Sequence, residues 1–179
     1  MRVFFFGSLM DTDLVRLVLD RAIEDLLFTS AELLGYERRR AKNESFPIIV
    51  PTPGGRVEGV LVEGLTSADV DRIRWYESDD YALRPCLVGI EERRHEAHVF
   101  LATEMLEPEA TAWDFDHWVG TEKPMCIALA TEIMAQYGQI SPPELVRRWP
   151  EMKARATARF FGEPVVELRA RRRAGARRR

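Results

Sequence analysis

The chain has 179 residues, 46% hydrophobic and 31% charged, with a net charge of −3, enough for one domain, or one domain with an extension, around a sizeable core. No apolar stretch approaches the roughly 18 residues of a membrane span, and the run Val3–Phe6 is shorter than the roughly 7–15-residue apolar core of a signal peptide, so a cytoplasmic protein with no membrane partner is expected. Cys86 and Cys126 have neither C-x-x-C spacing nor a nearby histidine, which argues against a disulfide framework or a zinc knuckle and for buried reduced thiols.

Arg2–Phe6 reads as a buried strand that stops on Gly7. Asp11 or Thr12 caps a helix running to about Leu19, with Leu14, Leu17 and Val18 on one face. A strand follows over Leu27 to Ala41 with a bend at Gly35. "FPIIVPTPGG" is a short apolar run and a Pro/Gly turn. "RVEGVLVEGL" sets Val57, Gly59 and Leu61 against Glu58, Val60 and Val62, a strand with a glycine where something must approach closely. "TSADVDRIRWYE" is a helix with a Thr/Ser start and an acid in its first turn. "YALRPCLVGIEE" and "EAHVFLATEM" form a hairpin through "ERRH". Beyond Pro108 the pattern turns helical: Trp113 to Tyr137, interrupted near Pro124 and ended by Gly138, then a helix capped by Ser141, then a short one after Pro150 that fades near Gly162.

The strands lack regular crossover helices, which argues against a doubly wound sheet. The order fits an α+β fold: a small mixed, mostly antiparallel β-barrel with flanking helices and a helical C-terminal third.

One position breaks the helical pattern. On the helix that starts near Thr66, the apolar face runs Val70, Ile73 and then Glu77, where periodicity asks for an apolar residue. Burial and the C-terminal end of the helix dipole both raise the pKa of such a carboxyl, as a general acid/base requires. If the helix ends earlier, Glu77 is solvated instead. Tyr81 and Arg84 follow at the mouth of the next strand. The turn Gly7-Ser8-Leu9 after the first strand offers successive backbone N–H groups to an anion. Together these make a candidate site for a small amino-acid-like substrate.

These residues carry a resemblance. "FGSL", Phe6–Leu9, resembles the Y-G-S/T-L signature of gamma-glutamylcyclotransferase-like proteins. "FPIIVPTPGGRVEGVLVEGL" resembles their second block and "WYESDDYALRPCLV" their third, in which a helix ends in a glutamate and a tyrosine and an arginine follow. The three blocks span about Met1–Thr103, and their order is more specific than any one of them. "RRWPEMKARATARF" is similar to the C-terminal helices of a bacterial branch, some members of which carry a Nudix hydrolase domain further on. The resemblance implies that Glu77 is the catalytic acid/base and that a small γ-glutamyl amine or peptide is the substrate. Phe6, Gly7, Ser8, Leu9, Tyr81 and Arg84 would bind it, with no metal and no cofactor. The amine of the γ-glutamyl group would attack its own γ-carbonyl, and 5-oxoproline would leave. Two positions depart from the family pattern: Phe6 stands for the usual tyrosine, and Ser78 for the glycine that often follows the glutamate. A non-catalytic binding module using the same pocket is the alternative function. The sequence sets neither the γ-glutamyl compound nor the oligomeric state.

Other signals point elsewhere. His95 and His98 lie three apart, which on a strand puts them on opposite faces rather than on one metal. Ser8 lacks the histidine and the G-x-S-x-G context of a nucleophile. Asp114 and Asp116 suit a first helical turn, and Trp113, Trp118 and Trp149 suit packing between helices and barrel. The last eleven residues, Arg169–Arg179, hold seven arginines and no acid. They read as a flexible tail beyond a domain over residues 1–168, matching a linker in the Nudix-bearing relatives. Without interleaved aromatics the tail argues against a dedicated nucleic-acid site. The rest of the chain carries 19 basic against 29 acidic side chains, about −10.

Overall fold

The computed structural model describes residues 1–161. The domain boundary expected after Leu168 and the arginine tail lie outside them. Five strands close into a ring in the order β1-β3-β2-β4-β5: β1 (Arg2–Phe5), β2 (Leu27–Arg40), β3 (Pro47–Glu63), β4 (Tyr81–Ile90) and β5 (Arg93–Ala102). Four of the pairings that build it are β1–β3, β2–β3, β2–β4 and β4–β5, all antiparallel. The closing pair, β1 with β5, is parallel and short, with Val3 opposite His98 and Phe4 opposite Val99. The mixed, mostly antiparallel barrel expected from the sequence is therefore the fold.

The phenylalanine run is explained by a strand covered on both faces. Phe4 and Phe6 pack inside the ring with Ala31, Leu33, Ile49, Val57, Leu61, Val88 and Val99. Val3 and Phe5 pack outward against the helices, with Leu14, Val18, Val70, Ile73 and Trp118. Gly59, across from β1, meets the strand backbone itself. A Cβ there would stand 2.3 Å from the Phe5 carbonyl oxygen and 2.6 Å from Phe4 Cζ.

Three boundaries differ from the sequence reading. The Pro/Gly stretch before Arg56 does not reverse the chain but sits within β3. Pairing with β2 passes from Pro51↔Tyr36 to Arg56↔Leu34, so the extra residues bulge beside Gly35 at φ 82°. The β4–β5 hairpin turns at Glu91–Glu92, with Ile90 paired to Arg93 and Glu91 at φ 52°, rather than through "ERRH". The segments on either side of Pro150 form one helix, α5 (Pro142–Phe161). An internal proline costs a helix about 3 kcal/mol. The buried stripe of Leu145, Met152 and Ala156 continues across it, and Arg155 and Arg159 both reach Glu132 on the preceding helix, at 2.9 and 2.7 Å.

The remaining helices are α1 (Thr12–Leu19), α2 (Ser67–Glu77), α3 (Phe115–Thr121) and α4 (Lys123–Met134). No helix among the described residues is long and apolar enough to cross a membrane. Asp11 caps α1 and Asp114 caps α3, each through its carboxylate. Trp113 donates from Nε1 to the Ser45 carbonyl at 2.8 Å, and Trp118 is fully buried and stacked on Phe115. His95 shares the face of Ala97 and Val99, whereas His98 shares that of Phe100.

The start of α2 is fixed by a buried carboxylate. Asp69 accepts from Arg21 Nε and Nη2, both at 2.9 Å, and closes a capping box with Thr66. Arg21 first, and then the Thr66 backbone and hydroxyl, hold the Asp69 carboxyl down at about 2 against the cost of burial. Because this pKa is depressed on folding, the stabilisation is complete above about pH 4 and is lost as pH falls through 2. Asp69→Asn should cost about 2 kcal/mol at pH 7. Urea midpoints of the two proteins should converge by pH 2. A gap that persists at pH 2 would show that packing, not the charge, makes the difference.

Candidate active site

Glu77 is the last residue of α2, one turn beyond Ile73, and the apolar stripe carries it inward. It lines a cavity of about 900 Å³ together with Phe6, Gly7, Ser8, Leu9 and Tyr81. Of the residues singled out from the sequence, these six are brought together. Arg84 is not: it is exposed on β4 and absent from the cavity wall. The reason is strand alternation, since Tyr81 and Arg84 are three apart and face opposite sides.

Among the described residues no hydrogen bond engages the Glu77 carboxyl. Burial first, and then the negative charge of Asp80, push it up to about 8. At neutral pH it is mainly protonated. Asp80 was not foreseen. The acidic run that follows Glu77 was the available signal, because a second carboxylate nearby disfavours ionisation of the first.

The turn opposite is a short 3-10 segment, Ser8–Met10. Met10 N–H donates to the Gly7 carbonyl at 2.9 Å and Asp11 N–H to the Ser8 carbonyl at 3.0 Å. The N–H groups of Ser8 and Leu9 come before the first of these bonds, which leaves them outside the turn's own pairing. The turn is held from behind: Arg38 donates to the Phe6 carbonyl at 2.9 Å and lies over the Trp113 ring at 5.3 Å. In front, Pro47 presses on Gly7, where a Cβ would come within 2.8 Å of Pro47 Cγ. Tyr81 fixes Pro47 by donating its hydroxyl to the Pro47 carbonyl at 2.8 Å. Its hydroxyl therefore serves the wall, while its ring lines the cavity.

Tyr76 and Cys126 were missed. Both line the cavity, with the Tyr76 hydroxyl 3.6 Å from Cys126 Sγ. Burial raises the Tyr76 phenol well above its ordinary value and lifts the Cys126 thiol to about 11, so neither is ionised at neutral pH. Trp149, expected only to pack, also contributes to the cavity wall, as do Leu129, Ile133 and Val146.

Ser78, at the end of α2, has φ 56° and ψ −163°, a region that belongs essentially to glycine. Its hydroxyl donates to Asp80 Oδ2 at 3.1 Å and accepts from the Asp80 N–H at 3.3 Å. Backbone strain there is worth about 1–3 kcal/mol. Ser78→Gly should therefore gain about 1 kcal/mol net of glycine's entropy, roughly 3 °C in Tm. A lower Tm would mean that the hydroxyl's bonds to Asp80 outweigh the strain.

A family model described as gamma-glutamyl cyclotransferase, AIG2-like, matches residues 3–119. AIG2-like protein A of Arabidopsis thaliana is 31% identical over 137 residues, covering 74% of this chain and 80% of its own length. A second Arabidopsis thaliana protein, solved in solution, superposes with a TM-score of 0.54 at 26% identity, covering 78% of this chain and 94% of its own. A solved gamma-glutamyl cyclotransferase superposes with a TM-score of 0.50 at 15% identity over 86% of each chain, a likeness of fold. The bacterial branch expected from the C-terminal helices gains no support here, since the family match stops at residue 119. That match runs through the opening turn, the closed ring and the helix that ends in Glu77, and the chain belongs to the AIG2-like gamma-glutamyl cyclotransferase family.

Proposed function

We propose that the chain is a γ-glutamyl cyclotransferase in which Glu77 moves the protons. The observation that carries this reading is a carboxyl raised to about 8, without a hydrogen-bond partner among the described residues, in one cavity with the Gly7–Leu9 turn. The substrate's α-carboxylate sits on the N–H groups of that turn, and its α-amine faces Glu77. Ionised Glu77 takes a proton from the α-amine as its nitrogen attacks the γ-carbonyl carbon. A five-membered ring closes, and the carbonyl π electrons pass to oxygen. When the carbonyl re-forms, the bond to the leaving nitrogen breaks and Glu77 returns its proton to that nitrogen. The products are 5-oxoproline and a free amine. Nucleophile and electrophile belong to one molecule, so holding the folded conformer supplies much of the acceleration. Tyr81 acts as a positioning residue, through Pro47 and Gly7. A reducing cytoplasm suits the two free thiols, Cys86 and Cys126.

The test is 5-oxoproline release by the full chain from γ-glutamyl dipeptides and γ-glutamyl amides, read by chromatography. Turnover of at least one compound, lost in Glu77→Gln, supports the reading. Binding without turnover across the whole panel would replace it with the binding-module function.

A further inference from the structure

Three arginines in a row, Arg38–Arg40, close β2, and two of them have acid partners. Arg39 stands 2.9 Å from Glu37, and Arg40 2.5 Å from Glu122. Arg38 is the exception: among the described residues no carboxylate oxygen lies within 4.0 Å of its guanidinium. It is also half-buried. Burial works against its charge, and Asp114 and Glu58 are near enough only to oppose that effect. A guanidinium stays charged in proteins, so β2 holds a poorly solvated cation without an ion pair, a costly arrangement.

What surrounds this cation is the turn. Arg38 Nη1 donates to the Phe6 carbonyl at 2.9 Å and lies 3.8 Å from Met10 Sδ, so it touches both ends of the Phe6–Met10 segment. The Trp113 ring backs it at 5.3 Å. Arg38 is absent from the cavity wall, whereas Gly7, Ser8 and Leu9 line it. In a trans peptide the N–H points opposite to the C=O. A cation on the Phe6 oxygen therefore strengthens the Gly7 N–H on the far side, because hydrogen bonds in series polarise one another. An anion on the turn meets the N–H groups first and the arginine's field behind them, across protein that screens charge less than water.

Resting on the cyclotransferase reading, we propose that Arg38 is a positioning residue for the substrate's α-carboxylate. It does not touch the substrate. It acts through the Phe6–Gly7 peptide as the remote counter-charge of the turn, and the bound carboxylate offsets the cost of its burial.

The test compares two ligands of one shape that differ by a charge: L-5-oxoproline, a carboxylate, and L-5-oxoprolinamide, its neutral amide. Titration calorimetry with the full chain at pH 7 gives both affinities for wild type, Arg38→Gln and Arg38→Lys, beside a melting curve of each. Glutamine keeps a donor for the Phe6 carbonyl but carries no charge. Wild type should prefer the acid by at least about tenfold. Arg38→Gln should lose that preference while binding the amide within about twofold of wild type, and Arg38→Lys should keep most of it. In turnover the Arg38→Gln loss should fall on KM rather than kcat. An Arg38→Gln protein that weakens both ligands alike would show a mere prop and overturns the inference, as does an unchanged preference. A wild type that releases 5-oxoproline yet binds the acid no better than the amide overturns it and leaves the cyclotransferase reading intact. No release from any γ-glutamyl compound takes both down.

Discussion

Glu77→Gln should cut 5-oxoproline release by about 10²–10⁴-fold, the usual worth of a positioned proton shuttle, while making the protein more stable at alkaline pH. Both effects come from one feature. The Glu77 carboxyl is raised by burial from 4.5 to about 8. Between those values the native state keeps a proton that the unfolded state releases. Its stabilising contribution is therefore complete below about pH 4.5 and is lost as pH rises through 8. Glutamine keeps the size and the hydrogen-bonding reach without ionising, so it escapes that loss. The two proteins should melt together near pH 4. By pH 9 the variant should lead by at most about 5 kcal/mol, the full value of the shift. Activity runs the other way. The wild-type kcat/KM should climb with pH through about 8 as Glu77 ionises, and the variant should lose that limb. Melting curves at pH 4, 7 and 9, set beside a pH–rate profile, check both halves. Turnover retained in a folded Glu77→Gln protein would end the proton-shuttle assignment. A wild type that is the more stable of the two at pH 9 would show that the carboxyl is charged and paired in the native state.

Gly59→Ala should damage the fold more than any surface change. The added methyl would lie 2.3 Å from the Phe5 carbonyl oxygen and under 3 Å from two atoms of the Phe4 ring. The Phe4 ring fills the barrel interior and is itself 1% exposed, so it has no vacant space to move into. The backbone at Phe5 is paired to Val60. Relief requires β1 to move away from β3, which also displaces the Gly7–Leu9 turn just downstream. A loss of about 3 kcal/mol or more is expected, at the upper end for an overpacked core, with poor recovery of folded protein. A denaturant melt measures it. A midpoint within about 0.5 kcal/mol of wild type would mean that the β1–β3 contact is looser than the structure has it. Gly35 is the useful contrast: nothing lies within 4 Å of a Cβ there, and its φ of 82° is the constraint.

What the sequence made legible follows from local periodicity. The run Val3–Phe6, the glycine at 59 and the carboxylate at 77 each broke or completed a pattern of two or 3.6, and each occupies the place that the pattern assigned. Glu77 fell on the stripe of Val70 and Ile73 because α2 does run to that residue. The misplacement of Arg84 beside Tyr81 was avoidable, since an interval of three cannot keep two strand residues on one face. Other features had no local signal. Pro47 presses on Gly7 across 40 residues of sequence, and Arg38 reaches the Phe6 carbonyl across 32. The part that α4 and α5 play in the cavity wall depends on how they dock on the ring. That docking was also what carried α5 through Pro150, where proline chemistry alone argued for a break.

The closing seam of the ring has a consequence for synthesis. β1 is made first, yet one of its two neighbours, β5, is nearly a hundred residues downstream, and they meet at Val3↔His98 and Phe4↔Val99. A nascent chain can form the β2–β3 and β4–β5 hairpins as each emerges, but one edge of β1 stays bare until β5 has left the ribosome. Contacts of such long sequence separation form late, because the loop must close before they give any return. Throughout that interval Phe4 and Phe5 stand on a strand with one unpaired edge, the kind of segment that recruits other chains. The same aromatic run that ends by packing both faces of the finished barrel is therefore exposed to aggregation while the chain is being made.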